Sequence, residues 1–430
     1  PSVTPASFGA MLRDSGARTL FVDEQAAALL GAAPSERPAL VALQDGAPGT
    51  PFERWLAPVG STPQRVQVTP EMAFNIIYSS GTTGLPKGIV QPHGMRWMHV
   101  MRGAALGYGP QTVTILATPL YSNTTLVAFF PTLSHGGCVV LIDKFDAERY
   151  LDLAARHRAT HTMLVPVQYQ RLMACPRFGA FDLSSFQMKF CTSAPFAAAL
   201  KADVLARWPG GLVEYYGMTE GGGTCALAAH EHPDKLHTVG QPLPGHDIRV
   251  VDEDGRELPR GEIGEVVGRS GAMMTGYHQQ PAKTAEAEWF DAEGRRFIRT
   301  GDVGRFDTEG FLTLLDRRKD MIISGGFNVY PSDLEAVLRE HPAVAEAAVV
   351  GVPSAQWGET PVAWVVTRGG EAADAEALRQ WVNARLGKTQ RIAALHVVDE
   401  LPRSAIGKIL KTELRARHAA AAGTRGAAGS

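Results

Sequence analysis

The run Tyr78-Ser79-Ser80-Gly81-Thr82-Thr83-Gly84-Leu85-Pro86-Lys87-Gly88 puts hydroxyls, glycines and one lysine directly after the apolar stretch Ala73-Phe74-Asn75-Ile76-Ile77. These residue types suit phosphate. Glycines let backbone N–H groups converge on an anion, hydroxyls donate to its oxygens, and lysine adds a compact positive charge. The usual nucleotide P-loop has Gly-Lys-Ser/Thr opening a helix, whereas Lys87 follows Pro86 and precedes Gly88, so kinase-type use of the loop is disfavoured. A polar surface turn has the same composition, and this loop alone leaves both readings open.

Further glycine turns beside polar or charged residues follow. They are Tyr215-Tyr216-Gly217-Met218-Thr219-Glu220, Arg299-Thr300-Gly301-Asp302, Asp316-Arg317-Arg318-Lys319-Asp320 leading into Ser324-Gly325-Gly326-Phe327, and Pro402-Arg403-Ser404-Ala405-Ile406-Gly407-Lys408. In this order the motifs resemble those of the acyl-adenylate-forming superfamily: acyl- and aryl-CoA synthetases, peptide-synthetase adenylation domains and firefly-type luciferases. The resemblance is nearest to an acyl- or aryl-CoA ligase. It implies ATP, Mg²⁺ and coenzyme A as cofactors and a small carboxylic acid as substrate.

The resemblance also implies roles. Ser79, Ser80, Gly81, Thr82, Thr83, Gly84 and Lys87 would hold the β- and γ-phosphates. Thr219 would donate to the α-phosphate, and Glu220 would hold Mg²⁺, a hard cation that takes a few carboxylate oxygens beside phosphate and water. Ser193, Ala194, Pro195, Glu214, Tyr215, Tyr216 and Gly217 would surround the nucleotide, with Tyr216 against the adenine and Asp302 and Arg317 at the ribose. Lys408 would be a mobile cation touching both the carboxylate and the α-phosphate, and Lys319 the hinge of a small swinging domain. After the swing, Ser324, Gly325, Gly326 and Phe327 would line a pantetheine channel and Trp357 would stack on the adenine of coenzyme A. Taken singly, Asp302 reads as a turn aspartate, residues 316–320 as a solvated charge run and Lys408 as a solubilising lysine; the ordered set outweighs those readings.

The segment Pro119-Leu120-Tyr121-Ser122-Asn123-Thr124 matches a family region that often carries histidine where Ser122 stands. Tyr121, Ser122, Met218, Gly221 and Gly222 are the acyl-pocket candidates. Peptide synthetases commonly place an aspartate near this point to pair an ammonium, and Asn123 has no charge. Leaving a buried ammonium unpaired costs several kcal/mol, so an α-amino acid is a poor substrate. The run Gly221-Gly222-Gly223 is expected to leave width for an aryl or longer acyl group, with loop flexibility as the alternative. The expected activity is acid–CoA ligation through acyl-AMP. Loading of a carrier-protein thiol, and a nucleotide-binding fragment without turnover, remain as alternatives.

The elements that must position these residues read as α/β. An amphipathic helix from Pro5 stops at Gly16 before a strand, and from Thr112 onward apolar strand-like runs alternate with helical ones. Short β runs between Val239 and Leu315 suggest a small barrel-like β subdomain. A helix is expected from Ser332, capped by Ser332 and Glu335 and ended at Pro342. The expected architecture is a large N-terminal domain of β-sheets flanked by helices over residues 1–317, a small mobile α/β domain over 318–415, and a disordered Ala/Gly-rich tail over 416–430. Family members carry a further helix and strand layer before the equivalent of Pro1, so the chain is expected to be truncated.

Composition bounds the rest. Over 430 residues, 45% are hydrophobic and 20% charged, the balance of a globular chain, and a net charge of −2 argues against nucleic acid as a partner. Cys138, Cys175, Cys191 and Cys225 show neither C-x-x-C nor metal-ligand spacing, which points to a reduced, cytoplasmic setting. No apolar run nears the about 18 residues of a membrane span, and no signal pattern opens the chain. His157 and His161 lack the intervening glutamate of a zinc site. A homodimer is left open.

Overall fold

The computed structural model describes residues 5–30, 38–79, 87–317, 320–324, 327–354, 356–368, 373–387, 390–404 and 407–427. The strands Val113–Leu116, His161–Leu164 and Met188–Cys191 are short apolar runs, each followed in sequence by a helix: Asn123–Ser134, Pro166–Met173 and Ala198–Arg207. Strands connected through helices pair in parallel and are covered on their faces by those helices. With Cys138–Leu141 and Gly211–Tyr216 they make the parallel part of a seven-stranded sheet. Cys225–Ala228 and Gln241–Pro242 complete it as antiparallel strands beyond Gly211–Tyr216. Beneath this sheet Trp208 is 1% exposed, and the rings of Tyr150, Tyr169, Phe178 and Phe186 lie 5.0 to 6.2 Å from it. Each large apolar side chain so buried contributes about 1.5–3 kcal/mol by leaving water.

Smaller sheets surround this frame. Helix Pro5–Ser15 ends at Gly16, whose φ of 61° suits glycine, and leads into the parallel strands Thr19–Val22, Ala39–Ala42 and Thr50–Pro51. Ala73–Ser79 and Lys87–Pro92 form an antiparallel pair, extended by Gly276–Tyr277. The β subdomain is an antiparallel sheet of Asp247–Val251, Gly264–Arg269, Arg296–Phe306, Glu288–Phe290 and Leu312–Arg317.

The C-terminal sheet contains Phe327–Val329, Ile322–Ser324, Gly358–Thr367, Val344–Ser354 and Ala394–Val397. Its longest strand shows the two-residue period of a sheet buried on both faces. Ala347 and Val349 join one apolar cluster with Leu334 and Leu378, while Ala348, Val350 and Val352 join another with Leu401 and Leu414.

Two local expectations fail. The helix expected from Ser332 runs Pro331–Arg339 with Tyr330 at its N-cap, and no side chain caps it. Ser332 donates to the Leu315 carbonyl instead, and Glu335 accepts from the Val349 N–H and pairs with Lys411. Proline at the first helical position moves the N-cap two residues earlier, from Ser332 to Tyr330, which turns the would-be cap into a residue of the first turn. The tail expected to be disordered from 416 continues helix Lys411–Ala427. Its alanines, the strongest helix formers, extend a helix whose Leu414 is anchored in the sheet's apolar cluster.

Candidate functional site

The segments that follow the parallel strands leave from one rim of the large sheet, at the strands' carboxyl ends, where α/β sheets bind ligands. Ser122 is the N-cap residue of helix Asn123–Ser134 and is buried, whereas Tyr121 stands 57% exposed at the lip. Ser193 has φ 85°, an uncommon conformation for a residue with a Cβ, and its hydroxyl lies 2.5 Å from that of Thr124. Ala194 is half-buried and Pro195 exposed beside it. The rim therefore brings together residues separated by more than 60 positions in sequence.

Strand register sets the phosphate end of the site. Ser79 pairs with Lys87 across the hairpin, so the connecting run starts and ends side by side; Ser80, Gly81, Thr82, Thr83 and Gly84 lie outside the described residues. Lys87 Nζ is 3.5 Å from the Tyr277 hydroxyl and 4.5 Å from the centre of its ring. That hydroxyl donates to Glu220 Oε1 at 2.9 Å. Burial and the Glu220 charge push the Tyr277 phenol far above its ordinary range, so it stays a donor. The carbonyl of Thr219 accepts from Gln91 Nε2 at 2.6 Å. Lys87, Thr219 and Glu220 are thus brought together, with Tyr277 and Gln91 as residues that the sequence reading missed. Nothing in the sequence signals Tyr277, because it reaches Lys87 across 190 positions through strand pairing.

At the other end, Tyr216 donates to Asp302 Oδ2 at 2.9 Å, and Arg317 is the backbone register partner of Asp302 in the neighbouring strand. Tyr215 is stacked on Phe190 with ring centres 5.7 Å apart. Gly217 is exposed between these tyrosines and Thr219.

Other expectations are corrected. Glu214 is 3% exposed and forms a buried ion pair with Lys201, which also donates to the carbonyls of Leu236 and Thr238. Burial pushes the Glu214 carboxyl up against the opposing pull of Lys201, and its carboxylate is committed to the core rather than to a nucleotide. Gly221 and Gly222 do not open an acyl pocket. Both have φ near 80°, and a Cβ on Gly222 would lie 2.8 Å from the Gly268 carbonyl oxygen and 3.2 Å from Ile298 Cβ. They are glycine because the chain turns left-handed while packing against the β subdomain. Met218 packs with Ile89, Met274, Tyr277 and Ile298, behind the phosphate cluster.

The C-terminal domain presents two candidate faces. Lys408 sits in a tight turn in which Ser404 N–H donates to the Lys408 carbonyl at 2.8 Å and Arg403 donates to the Gly407 carbonyl at 2.8 Å. Gly407 has φ 76°, and a Cβ there would fall 2.6 Å from Val167 Cγ1. Arg403, Ser404 and Gly407 share a cleft of ≈ 300 Å³ with Thr118, Pro119 and Val165 on the rim. A second concavity of ≈ 430 Å³ lies behind Tyr277, among Val90, Gln280 and Pro281. On the other face Ser324 pairs with both Phe327 and Gly358, and Gly358 is the neighbour of the 43% exposed Trp357. Gly325, Gly326 and Lys319 lie outside the described residues.

The arrangement can hold a polyphosphate at Lys87 and a divalent cation at the Glu220 carboxylate. Among the described residues no cluster of His, Cys, Asp or Glu could bind a metal by itself. A cation at Glu220 would take its other ligands from phosphate and water, which fits Mg²⁺ arriving with a nucleotide.

Comparison with known proteins agrees. The chain matches the AMP-binding enzyme family over residues 1–278 and its C-terminal domain over 333–408. It is 34% identical over 420 residues to a fatty acid–[acyl-carrier-protein] ligase of Streptomyces coeruleorubidus, covering 95% of this chain and 79% of the relative. To a feruloyl-CoA synthase of an Amycolatopsis species it is 36% identical over 350 residues, 80% of this chain and 69% of the other. Among solved structures, the amide bond synthetase of Marinactinospora thermotolerans superposes with a TM-score of 0.84 at 32% identity, over 97% of this chain and 83% of that one. The o-succinylbenzoate CoA synthetase of Bacillus subtilis, solved with its acyl-adenylate, gives 0.78 at 28% identity, over 96% and 81%. A match spanning the whole rim and the domain that docks on it leaves one conclusion: the chain belongs to the adenylate-forming, AMP-binding enzyme family.

Proposed function

We propose that the chain is an ATP- and Mg²⁺-dependent acid–thiol ligase that activates a carboxylic acid as acyl-AMP and transfers the acyl group to coenzyme A. The observation that carries this reading is the Lys87–Tyr277–Glu220 contact, with Gln91 of the same strand as Lys87 bonded to the Thr219 carbonyl; separately, Arg403, Ser404 and Gly407, ahead of Lys408, share a cleft with Thr118, Pro119 and Val165 on the rim of the large sheet. In the first step a carboxylate oxygen attacks the α-phosphorus and the bond to the bridging oxygen breaks, releasing pyrophosphate. Lys87 would meet the departing charge and Lys408 the charge developing at the α-phosphate. In the second step the thiol sulfur attacks the acyl carbonyl carbon, AMP leaves, and the thiol proton passes to solvent.

The domain division at 317/318, the hinge at Lys319 and the thiol channel near Ser324, Phe327 and Trp357 belong to this reading. It is supported by relatives named as feruloyl-CoA synthase and indoleacetate–CoA ligase. A carrier-protein thiol is the second acceptor, favoured by the carrier-protein ligase similar to 95% of this chain. Free cysteines throughout fit a cytoplasmic setting, and among the described residues no helix is long and apolar enough to cross a membrane.

The test is acid-dependent pyrophosphate release over a panel of carboxylic acids, with mass spectrometry of the thioester formed on CoA or on a phosphopantetheinylated carrier. AMP, pyrophosphate and a thioester are expected. ADP and phosphate as first products would refute it.

A further inference from the structure

The helix His93–Arg102 turns its basic residues inward. Arg96, His99 and Arg102 fall three apart, on the same arc as the buried Met95, while Trp97, Met98 and Met101 face out. Arg96 is only 5% exposed, and its side-chain partners among the described residues are amide oxygens: Asn75 Oδ1 at 3.1 Å, Asn123 Oδ1 at 2.7 Å and Gln91 Oε1. Among the described residues neither Arg96 nor Arg102 pairs with a carboxylate, and His99 Nδ1 is buried without a hydrogen-bond partner among them. Burial first, and then the positive charge of Arg102 and Arg96, hold the His99 imidazole well below its usual range. His246 accepts from the Thr224 N–H at 2.9 Å, just after the glycine run.

This face borders the acyl side of the rim. The helix packs on Asn123–Ser134, and Arg96 bonds to that helix's first residue, beside Ser122. Burial pushes the Tyr215 phenol up, and the Arg102 charge opposes that push. Cations at a helix carboxyl end are ordinary and account for Arg102, whose Nε reaches the Met98 carbonyl at 3.4 Å. They do not account for a guanidinium buried in mid-helix with no carboxylate partner among the described residues. Buried charges are normally paired, and no described residue supplies the anion for this one.

We propose that Arg96, His99, Arg102 and His246 form a subsite for an anion, and that the acid activated here carries a second carboxylate remote from the one adenylated. The inference rests on the ligase reading. It predicts a dicarboxylic acid with an acyl or aryl body bridging the α-phosphate end and this basic face.

The test compares matched acids, each monocarboxylic acid against the same skeleton with a second, distal carboxylate, by pyrophosphate release. Wild type should favour the diacid in kcat/KM by about 10- to 100-fold, the range of one charge-assisted hydrogen bond. Arg102→Gln, on a half-buried residue, should erase most of that preference, and Arg96→Gln should do so if thermal melting shows it folded. Equal or better use of the monoacids by wild type, or a preference untouched by Arg102→Gln, would overturn the subsite. If no acid releases pyrophosphate, the ligase reading fails by itself. Calorimetry without nucleotide then decides the subsite: tighter binding of the diacid, weakened by Arg102→Gln, supports it, and equal binding of diacid and monoacid removes it.

Discussion

Tyr277→Phe isolates the contact on which the phosphate end of the site depends. The substitution keeps the ring, and with it the Lys87 ammonium 4.5 Å from the ring centre, but deletes the hydroxyl that donates to Glu220 at 2.9 Å. A hydrogen bond to a charged group contributes about 1.5–3 kcal/mol. Glu220 is half-buried, so the lower end applies, which is about a tenfold effect. Because the phenol stays protonated and occupies only Oε1, its bond to Glu220 can persist while Oε2 meets a cation. The variant should therefore lower kcat/KM for ATP·Mg²⁺ about tenfold and leave the KM for the acid nearly unchanged. Tyr277→Leu also removes the cation–π contact and should lose about a further 0.5–1 kcal/mol. The assay is initial-rate pyrophosphate release at varied ATP·Mg²⁺ with saturating acid, and at varied acid with saturating ATP·Mg²⁺. A folded Tyr277→Phe protein with unaltered kcat/KM for ATP, or one whose loss appeared wholly in the acid KM, would refute the assignment of Tyr277 to the phosphate cluster.

Lys408→Ala should slow adenylation by about 10²–10³, as expected for one electrostatic stabiliser of developing charge, while thioester formation from supplied acyl-adenylate and CoA stays nearly intact; equal slowing of both half-reactions would remove the two-state role of Lys408 and the hinge at Lys319. Gly222→Leu should destabilise the chain rather than alter its acid preference, since the left-handed φ of 82° and the Gly268 carbonyl oxygen 2.8 Å from a Cβ leave no place for a side chain. Overpacking of this kind costs about 1–3 kcal/mol, read as a lower melting temperature, and a stable variant with a changed acid profile would restore the open-pocket reading. His246 is held down to about 4, first by burial and then by Arg102. Its folded value lies below its unfolded one, so its contribution to stability is present above about pH 6.5 and is lost as pH falls toward 4. His246→Asn should flatten the fall in melting temperature over that window, and an unchanged pH profile would show that this histidine does not titrate with unfolding.

What the sequence determined by itself was chemistry carried by neighbours along the chain. Glycines and hydroxyls ahead of Lys87, the Thr219-Glu220 turn and the alternating strands and helices after Thr112 are local patterns, and local patterns survive without coordinates. Where one pattern has two causes, the sequence stopped short. Gly221-Gly222-Gly223 spells both an open pocket wall and a backbone pressed against another sheet, and only the position of Gly268 and Ile298 decides for the second. Glu214 reads as a candidate nucleotide ligand beside two tyrosines, but strand alternation turns it into the core toward Lys201, a partner that no spacing announces. Tyr277 and Arg96 were not seen at all, because their roles arise from pairings between distant strands and helices. Side-chain direction and burial depend on which elements meet, and that choice is made by packing of the whole chain rather than by any window of it.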